Sequence, residues 1–396
     1  MIMTSELINE KHSRISTGMA VVFAIASGIA VGNLYWAQPL LTAIAADFGI
    51  APAQGGILVT ATQLGYALGI LAIVPLGDVM QRKGLLTAVM GVTVLALVGC
   101  ALSPSFLLLA MALGCVGLFT VSGQIILPLA GDLAAPEERG RIVGIVTSGI
   151  TMGILFSRLL SGLVADLWDW RVIYFMAAAL NLIMIGIIMK SVPEVPVQAK
   201  ISYRELMVSV FTSLRRHPGM RPILLKQGMI FGVTFNLFWT ALTFLLSEGP
   251  FSYSTFQIGL TSLAGITGAI AGVKLGKLQD KGLGRPAMGA FILASVLCMV
   301  LAAFAATSIV MIILVAAVFS LATQGVGILS QAQLFSLSDR ERSRLNTTFV
   351  VSNFLFCAIG SSLATALWNM GGWQYVAIGG AIASGIALMI WGWEQK

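Results

Sequence analysis

Apolar runs of about twenty residues alternate with short polar breaks along almost the whole chain. A membrane-crossing helix needs about 20 mostly apolar residues, and the runs predict twelve such spans. In the first half they fall at about 17–45, 54–76, 85–102, 106–130, 142–165 and 171–189. In the second half they fall at about 222–246, 255–275, 286–306, 309–335, 345–368 and 373–393. The runs lack the period-2 alternation of a membrane barrel strand. Lipid offers the backbone no hydrogen bonds, so unbroken apolar runs are expected to be helices.

Residues 190–221 are the longest polar interval. Ser202 and Glu205 have the spacing of a capping box. Leu206, Met207, Val210, Phe211 and Leu214 then share one helical face. The pattern predicts a short amphipathic helix on the membrane surface, with an irregular linker as the alternative. The interval divides the chain into a bundle at 1–190, a linker at 191–221 and a second bundle at 222–396.

Charge gives these spans an orientation. Of the 23 Lys and Arg residues, all but Arg158 and Arg171 fall on one side of the predicted membrane. The positive-inside rule makes that side cytoplasmic, with both termini. The opposite loops are too short for a receptor domain. Composition agrees: 58% of residues are hydrophobic and only 10% charged, against about 25% charged in soluble domains. The net charge of +7 is explained by basic loops, and no basic run is interleaved with aromatics as nucleic-acid binding would require. The first apolar run is too long for a signal-peptide core and is expected to remain as the first span. Cys100, Cys115, Cys298 and Cys357 lie in apolar runs without metal-ligand or redox spacing, so they are expected to be small core residues.

One polar break carries more charge than a turn needs. Residues 74–84 place Asp78, Arg82 and Lys83 between the second and third spans. The arrangement repeats. Asp280 follows Asp78 by 202 residues, the Arg139–Arg141 pair recurs as Arg342 and Arg344 after 203, and Trp170 recurs as Trp373 after 203. Parallel six-span repeats are a transporter architecture, with solute bound between the halves near the midplane.

With Asp78, Arg82 and Lys83 in this place, the chain resembles the major facilitator superfamily, whose loop between spans 2 and 3 reads approximately Gly-x-x-x-Asp-Arg-x-Gly-Arg-Arg. Val74, Val79 and Gln81 depart from that pattern, and Gly276, Asp280, Lys281 and Arg285 keep a second copy. The stretch 33–41 and the segment at Arg139–Arg141 are similar to bacterial arabinose-efflux-permease-like members. The resemblance implies an all-α membrane protein of twelve transmembrane helices in two pseudo-symmetric six-helix bundles. It also implies that Asp78 faces the head of span 11 and latches the halves together, with Arg139 or Arg141 orienting it. A carboxylate is favourable near a helix N-terminus. Arg82, Lys83, Asp280, Lys281 and Arg344 complete the expected latch. Met111 stands where proton-driven exporters of the family often carry an arginine, and span 5 has Gly149 and Gly153 but lacks their Gly-Pro pair. Those glycines are read as sites of close helix packing.

The family's cavity is lined by spans 1, 4, 7 and 10. The expected lining here is Asn33, Trp36 and Gln38 in span 1, Gln124 in span 4, Asn236 and Trp239 in span 7, and Gln324 in span 10. Gln63, Tyr66 and Asn353 join from spans 2 and 11. Amides and rings suit neutral or amphipathic molecules, and interhelical hydrogen bonding is the alternative role for each amide. Arg158 is the one ionisable residue well inside a span. Three places are open to it: contact with an anionic solute, snorkelling to the surface, or pairing with Asp47 or Asp166.

The expected function is secondary transport across a bacterial inner membrane by a monomer, with a proton gradient as driving force and no cofactor or metal. Export of small amphipathic molecules leads, and an uptake carrier or exchanger for a small organic solute, anionic ones included, is the alternative. An enzyme is disfavoured: the only histidines, His12 and His217, lie in polar segments away from any nucleophile pair. No Gly-x-x-x-x-Gly-Lys-Ser/Thr phosphate loop is present to bind ATP.

Overall fold

A computed structural model describes residues 15–135, 137–193, 203–268, 282–338 and 341–394. All regular structure among them is helical. The first half contains α1 (Thr17–Gly32), α2 (Leu41–Asp47), α3 (Pro52–Val79), α4 (Arg82–Ala101), α5 (Phe106–Leu133), α6 (Arg139–Leu167) and α7 (Arg171–Ser191). The linker contains α8 (Tyr203–Arg216). The second half contains α9 (Met220–Ser247), α10 (Thr255–Thr261), α11 (Gly284–Phe304), α12 (Ile309–Phe335) and α13 (Arg342–Trp393).

Nine of these segments are long and apolar enough to cross a membrane. The last is two expected spans in one: its backbone leaves helical geometry at Gly371 and Gly372, and Gly372 has φ +64°. Glycine reaches that conformation without a Cβ clash, so the chain reverses there. The eighth expected span begins at Thr255 and continues into residues outside the described set. Large apolar side chains such as Leu95, Leu107, Phe304 and Trp393 point outward, as a lipid-facing belt requires.

The first span is not continuous as expected. α1 ends at Gly32, the chain turns through Asn33–Ala37, and a single 3-10 turn at Gln38–Leu40 leads into α2. Pro39 has no N–H to give to a helix ladder. Span 4 is interrupted at Thr120. The two breaks are bonded to each other. Asn33 Nδ2 donates to Thr120 Oγ1 at 3.0 Å, and Thr120 Oγ1 donates to the Ala30 carbonyl at 2.7 Å. Trp36 Nε1 donates to Asn33 Oδ1 at 2.9 Å. Side chains thus take up polar groups where the ladder is lost, which is the condition for irregular backbone at membrane depth. α9 widens into a π-helical stretch at Gly228–Phe235. It is also the most enclosed span, with 83% of its apolar window buried against 28–50% in the other eight.

Bare backbone lets α1 and α6 approach closely. A Cβ on Gly153 would lie 2.2 Å from the Gly28 carbonyl oxygen, and one on Gly149 would lie 2.3 Å from that of Ala24. Close approach through small residues is how membrane helices gain dispersion energy without a hydrophobic driving force. Among the cysteines, Cys100, Cys298 and Cys357 are buried, whereas Cys115 is exposed on the outer surface, contrary to expectation.

The core is asymmetric along the membrane normal. At the end opposite the basic loops, one cluster runs through both halves, from Trp36, Leu41 and Tyr174 to Phe238, Phe244 and Trp373. Toward the basic end the fully buried cores separate into a first-half cluster and two smaller second-half clusters, bridged only by partly buried side chains such as Val350, Val351 and Phe354 against the first-half cluster. The halves are therefore joined most firmly at the end away from the basic loops.

Candidate solute site and its closures

Contacts between the halves close the end opposite the basic loops. Asp166, near the end of α6, accepts the Phe256 backbone N–H at 3.2 Å and the Thr255 hydroxyl, at the N-terminus of α10. Thr255 Oγ1 also lies 3.0 Å from the Gly162 carbonyl. A carboxylate belongs at a helix N-terminus, where unpaired N–H groups and the helix dipole favour negative charge. Thr243 Oγ1 donates to the Gln38 carbonyl at 3.0 Å, and Thr60 and Ser361 hydroxyls meet at 2.9 Å. Deeper in, Gln63 Nε2 donates to Asn236 Oδ1, and Ser361 Oγ donates to Gln63 Oε1 at 3.2 Å.

Below this closure lies a cavity of about 90 Å³ between the halves. Tyr35, Ile154, Leu155 and Arg158 line it from the first half, and Phe231, Phe235, Trp239, Ser320 and Gln324 from the second. Its walls come from spans 1, 5, 7, 8 and 10, with span 5 in the place expected for span 4. The reason is local: the break in span 4 is already occupied by its bonds to span 1. Gln124 turns instead toward Tyr66 and donates to its hydroxyl at 3.2 Å.

Of the expected lining residues, Arg158, Trp239 and Gln324 reach the cavity, and Gln38 lines a small adjoining recess with Arg158 and Trp239. Asn33 and Trp36 secure the span-1 break. Gln63 and Asn236 join the halves, and Tyr66 packs edge-on against Phe354 at 4.4 Å between ring centres. Asn353 is buried with its Oδ1 unpartnered among the described residues. Tyr35 was missed as a lining residue. Its place in the stretch 33–41 was visible, but only the turn after Gly32 aims its ring inward.

Arg158 is 4% exposed, so it does not snorkel. It does not pair with Asp47, which binds Arg171 at 2.8 Å and Trp170 Nε1 at 3.3 Å, nor with Asp166, which is engaged at α10. Its guanidinium carbon lies over the Tyr35 ring at 4.9 Å and over the Trp239 ring at 4.8 Å. Each ring comes from a different half. Cation–π attraction of this kind contributes about 2 kcal/mol or more when desolvated, against at least about 2.5 kcal/mol for holding an arginine within the membrane. Its Nε and Nη2 have no hydrogen-bond partner among the described residues, and neither have Trp239 Nε1, Ser320 Oγ or the Gln38 side-chain amide.

At the basic end the expected latch residues are distributed differently from the resemblance. The partner of Asp78 is Arg82, at 3.5 Å, not Arg139 or Arg141. Arg82 also binds Asp132 at 2.7 Å and the Gly77 carbonyl at 3.0 Å. Arg139 binds Asp132 at 3.4 Å, while Arg141 binds Glu138 at 3.3 Å and the Thr17 hydroxyl at 3.1 Å. All these contacts stay within the first half. Asp132, at the basic end of span 4, is not among the expected latch residues, although the basic pair lies only seven residues on. Lys83 joins no ion pair among the described residues. Asp280 and Lys281 lie outside the described set.

In the second half Glu341 meets His217 Nε2 at 2.8 Å, Arg216 at 3.3 Å and Arg344 at 3.7 Å. The His217 hydrogen bond leads in holding its carboxyl below the ordinary range, with the Arg216 and Arg344 charges adding to it. The linker helix is present as expected at Tyr203–Arg216; Ser202, its expected cap, and the side chains of Leu206, Val210 and Phe211 lie outside the described set. Leu214 packs on the second-half cluster around Met220 and Phe349, while Tyr203 Oη donates to the Ala72 carbonyl of the first half at 2.7 Å. Buried Lys226, with Glu394 as its partner, forms a further pair that the sequence reading passed over.

A family model for the Major Facilitator Superfamily matches residues 23–340. The chain is 34% identical over 387 residues to the uncharacterised transporter YgaY of Escherichia coli O157:H7, covering 97% of each chain. A probable transporter of Streptomyces coelicolor is 29% identical over 377 residues, covering 94% of this chain and 85% of that one. Among solved structures, a mutant of the nucleoside transporter NupG superposes with a TM-score of 0.77 at 15% identity, covering 95% of this chain and 99% of its own. An inward-facing, occupied bacterial homologue of the lysosomal transporter Spinster gives 0.78 at 13% identity, covering 96% of each. At such identities these structures speak for the fold alone.

Proposed function

The chain belongs to the major facilitator superfamily, and on that premise we propose that it exports small amphipathic molecules across the bacterial inner membrane by proton-coupled alternating access. The observation that carries the transport reading is the cavity between the halves, with walls from both and its closure on one side. A site built this way changes when the halves rock, because no single half contains it. With both termini cytoplasmic, the closed end is periplasmic and the cavity is poised toward the cytoplasm. Residues 1–190 and 222–396 would be the moving units and 191–221 the strap between them.

The charge cluster around Arg82 is proposed as the cytoplasmic half of the latch. Asp78 is 44% exposed in its side chain and, among the described residues, is held by a single long ion pair. As the cytoplasmic end closes, it would exchange that contact for the N-terminus of α13 beside Arg344, with Asp280 and Lys281 in the repeat's equivalent place. Arg82, Arg139 and Arg141 hold the surrounding loop, and Lys83 follows Arg82 in the first turn of α4.

Flux in inside-out vesicles tests the direction and the coupling. Accumulation of a fluorescent amphipathic compound that rises on energisation and collapses with a protonophore is the expected result. Equal accumulation with and without the protein, or indifference to the protonophore, overturns export or its coupling. The second reading, uptake or exchange, is favoured by one feature: no Asp or Glu lines the cavity among the described residues, leaving no carboxylate there to carry a proton. Accumulation in right-side-out vesicles would support that reading.

A further inference from the structure

We infer that Arg158 anchors a subsite for a small organic monocarboxylate with an apolar body, a substrate class that rests on reading this cavity as the transport site. The Arg158 guanidinium carbon lies over the Tyr35 ring at 4.9 Å and over the Trp239 ring at 4.8 Å. Aromatic faces attract the charge but accept no in-plane hydrogen bond of ordinary strength. The Nε and Nη2 atoms, which share one edge of the planar group, are both buried and both unpartnered among the described residues.

That edge presents two parallel N–H bonds, the arrangement that binds the two oxygens of a carboxylate side by side. Desolvated donors without acceptors are costly. Two of them on one edge of a buried cation therefore point to an acceptor that arrives with the solute. Neighbouring groups support the same polarity. Trp239 Nε1 is a pure donor and Ser320 Oγ can donate, both unpartnered among the described residues, while Gln38 in the adjoining recess has both its donor Nε2 and its acceptor Oε1 unpartnered. The lining holds no carboxylate that would repel an anion, and Arg158 is its sole cation among the described residues, which matches one negative charge rather than two. Ile154, Leu155, Phe231 and Phe235 give the rest of the wall a mostly apolar and aromatic surface, with Thr151, Thr323 and Gln324 as its further polar groups.

The rings over Arg158 belong to opposite halves, so an anion drawn to this edge would be held where the halves meet. Binding there would strengthen the present closure, because a carboxylate fixes Arg158 in the position that both rings require.

The test is binding to the purified full-length protein in lipid nanodiscs, measured by calorimetry. The probes are butyrate, hexanoate and benzoate, each against its amide, together with succinate. At least one monocarboxylate is expected to bind ten-fold or more tightly than its amide and than succinate. Arg158→Gln should remove the preference over the amide, and Arg158→Lys, which keeps the charge but not the two-donor edge, should retain only part of it. Should Arg158→Gln fail to fold, the wild-type contrast between acid and amide decides alone. Equal affinity for acid and amide, a preference that survives Arg158→Gln, or no binding by any of the monocarboxylates overturns the inference. Distance measurements between spin labels on the two halves keep the readings apart. If the halves exchange between open and closed while no monocarboxylate binds, the anion subsite falls and the transport reading stands. If they do not exchange, the transport reading falls and takes the substrate class with it.

Discussion

Asp166 in the first half accepts the backbone N–H of Phe256 in the second at 3.2 Å, and the Thr255 hydroxyl with it. A carboxylate on a helix N-terminus across the two halves was the arrangement expected of Asp78 at span 11. Here it joins span 5 to span 8 at the opposite end of the molecule. Asp166→Asn keeps the shape and removes the charge. Hydrogen bonds to charged groups contribute about 1.5–3 kcal/mol, less where solvent screens them, so the closed-to-open ratio at this end should fall roughly five-fold. Labelling of a cysteine introduced at Ile258, buried beneath this closure, should become correspondingly faster. Unchanged labelling would remove Asp166 from the closure.

The cluster at the basic end has Arg82 at its centre, bound to Asp78, Asp132 and the Gly77 carbonyl. Asp78→Asn removes one long contact at an exposed carboxylate, so it should lower flux while leaving thermal stability within about 0.5 kcal/mol. Arg82→Ala strips Asp132 of its 2.7 Å partner and should reduce both stability and flux. Parallel melting curves and vesicle flux separate the two. Wild-type flux in Asp78→Asn would confine the cluster to a structural role.

Gly153 meets the Gly28 backbone so closely that an added Cβ would stand 2.2 Å from its carbonyl oxygen. The obstacle is backbone, which cannot swing aside as a side chain can. Gly153→Ala should therefore destabilise by about 1–3 kcal/mol, read as a lowered melting temperature in detergent. Gly144→Ala, where nothing lies within 4 Å of the built Cβ, should change little.

Glu341 links acid stability to the linker. Its carboxyl is held below the ordinary value of 4.5, chiefly by the His217 hydrogen bond. A group lowered in the fold stabilises fully above its unfolded value and loses that contribution as pH falls through the folded one. The stability difference between wild type and Glu341→Gln should therefore be greatest above pH 4.5 and shrink below it. Melting temperatures across pH 3–7 check this, and a difference that grows toward acid would contradict it.

Much of the architecture was readable from one-dimensional pattern. Apolar run length, the lipid's refusal of unpaired backbone and the repeated landmarks at Trp170 and Trp373 lead to helical spans in two related halves. The landmarks also prove to be alike in use, for each indole N–H is bonded at the head of its span, to Asp47 and to the Ala302 carbonyl. Arg158 stood out because a charge inside an apolar run is costly wherever it ends up. These properties depend on sequence-local transfer energies, which composition and spacing carry directly.

The cavity lining was legible only in part, because an amide in an apolar run does not reveal which neighbour it meets. Asn33 looked like a solute ligand and instead holds Thr120, 87 residues away. Gln63 and Asn236 looked like parallel candidates and are bonded to each other. Tyr35 could not be assigned to the site until the turn after Gly32 aimed its ring at Arg158. Helix periodicity fixes which residues share a face but not what faces them. Whether a buried polar group is satisfied within the protein or left for a solute is settled by long-range packing, and there the paired amides and the open edge of Arg158 part company.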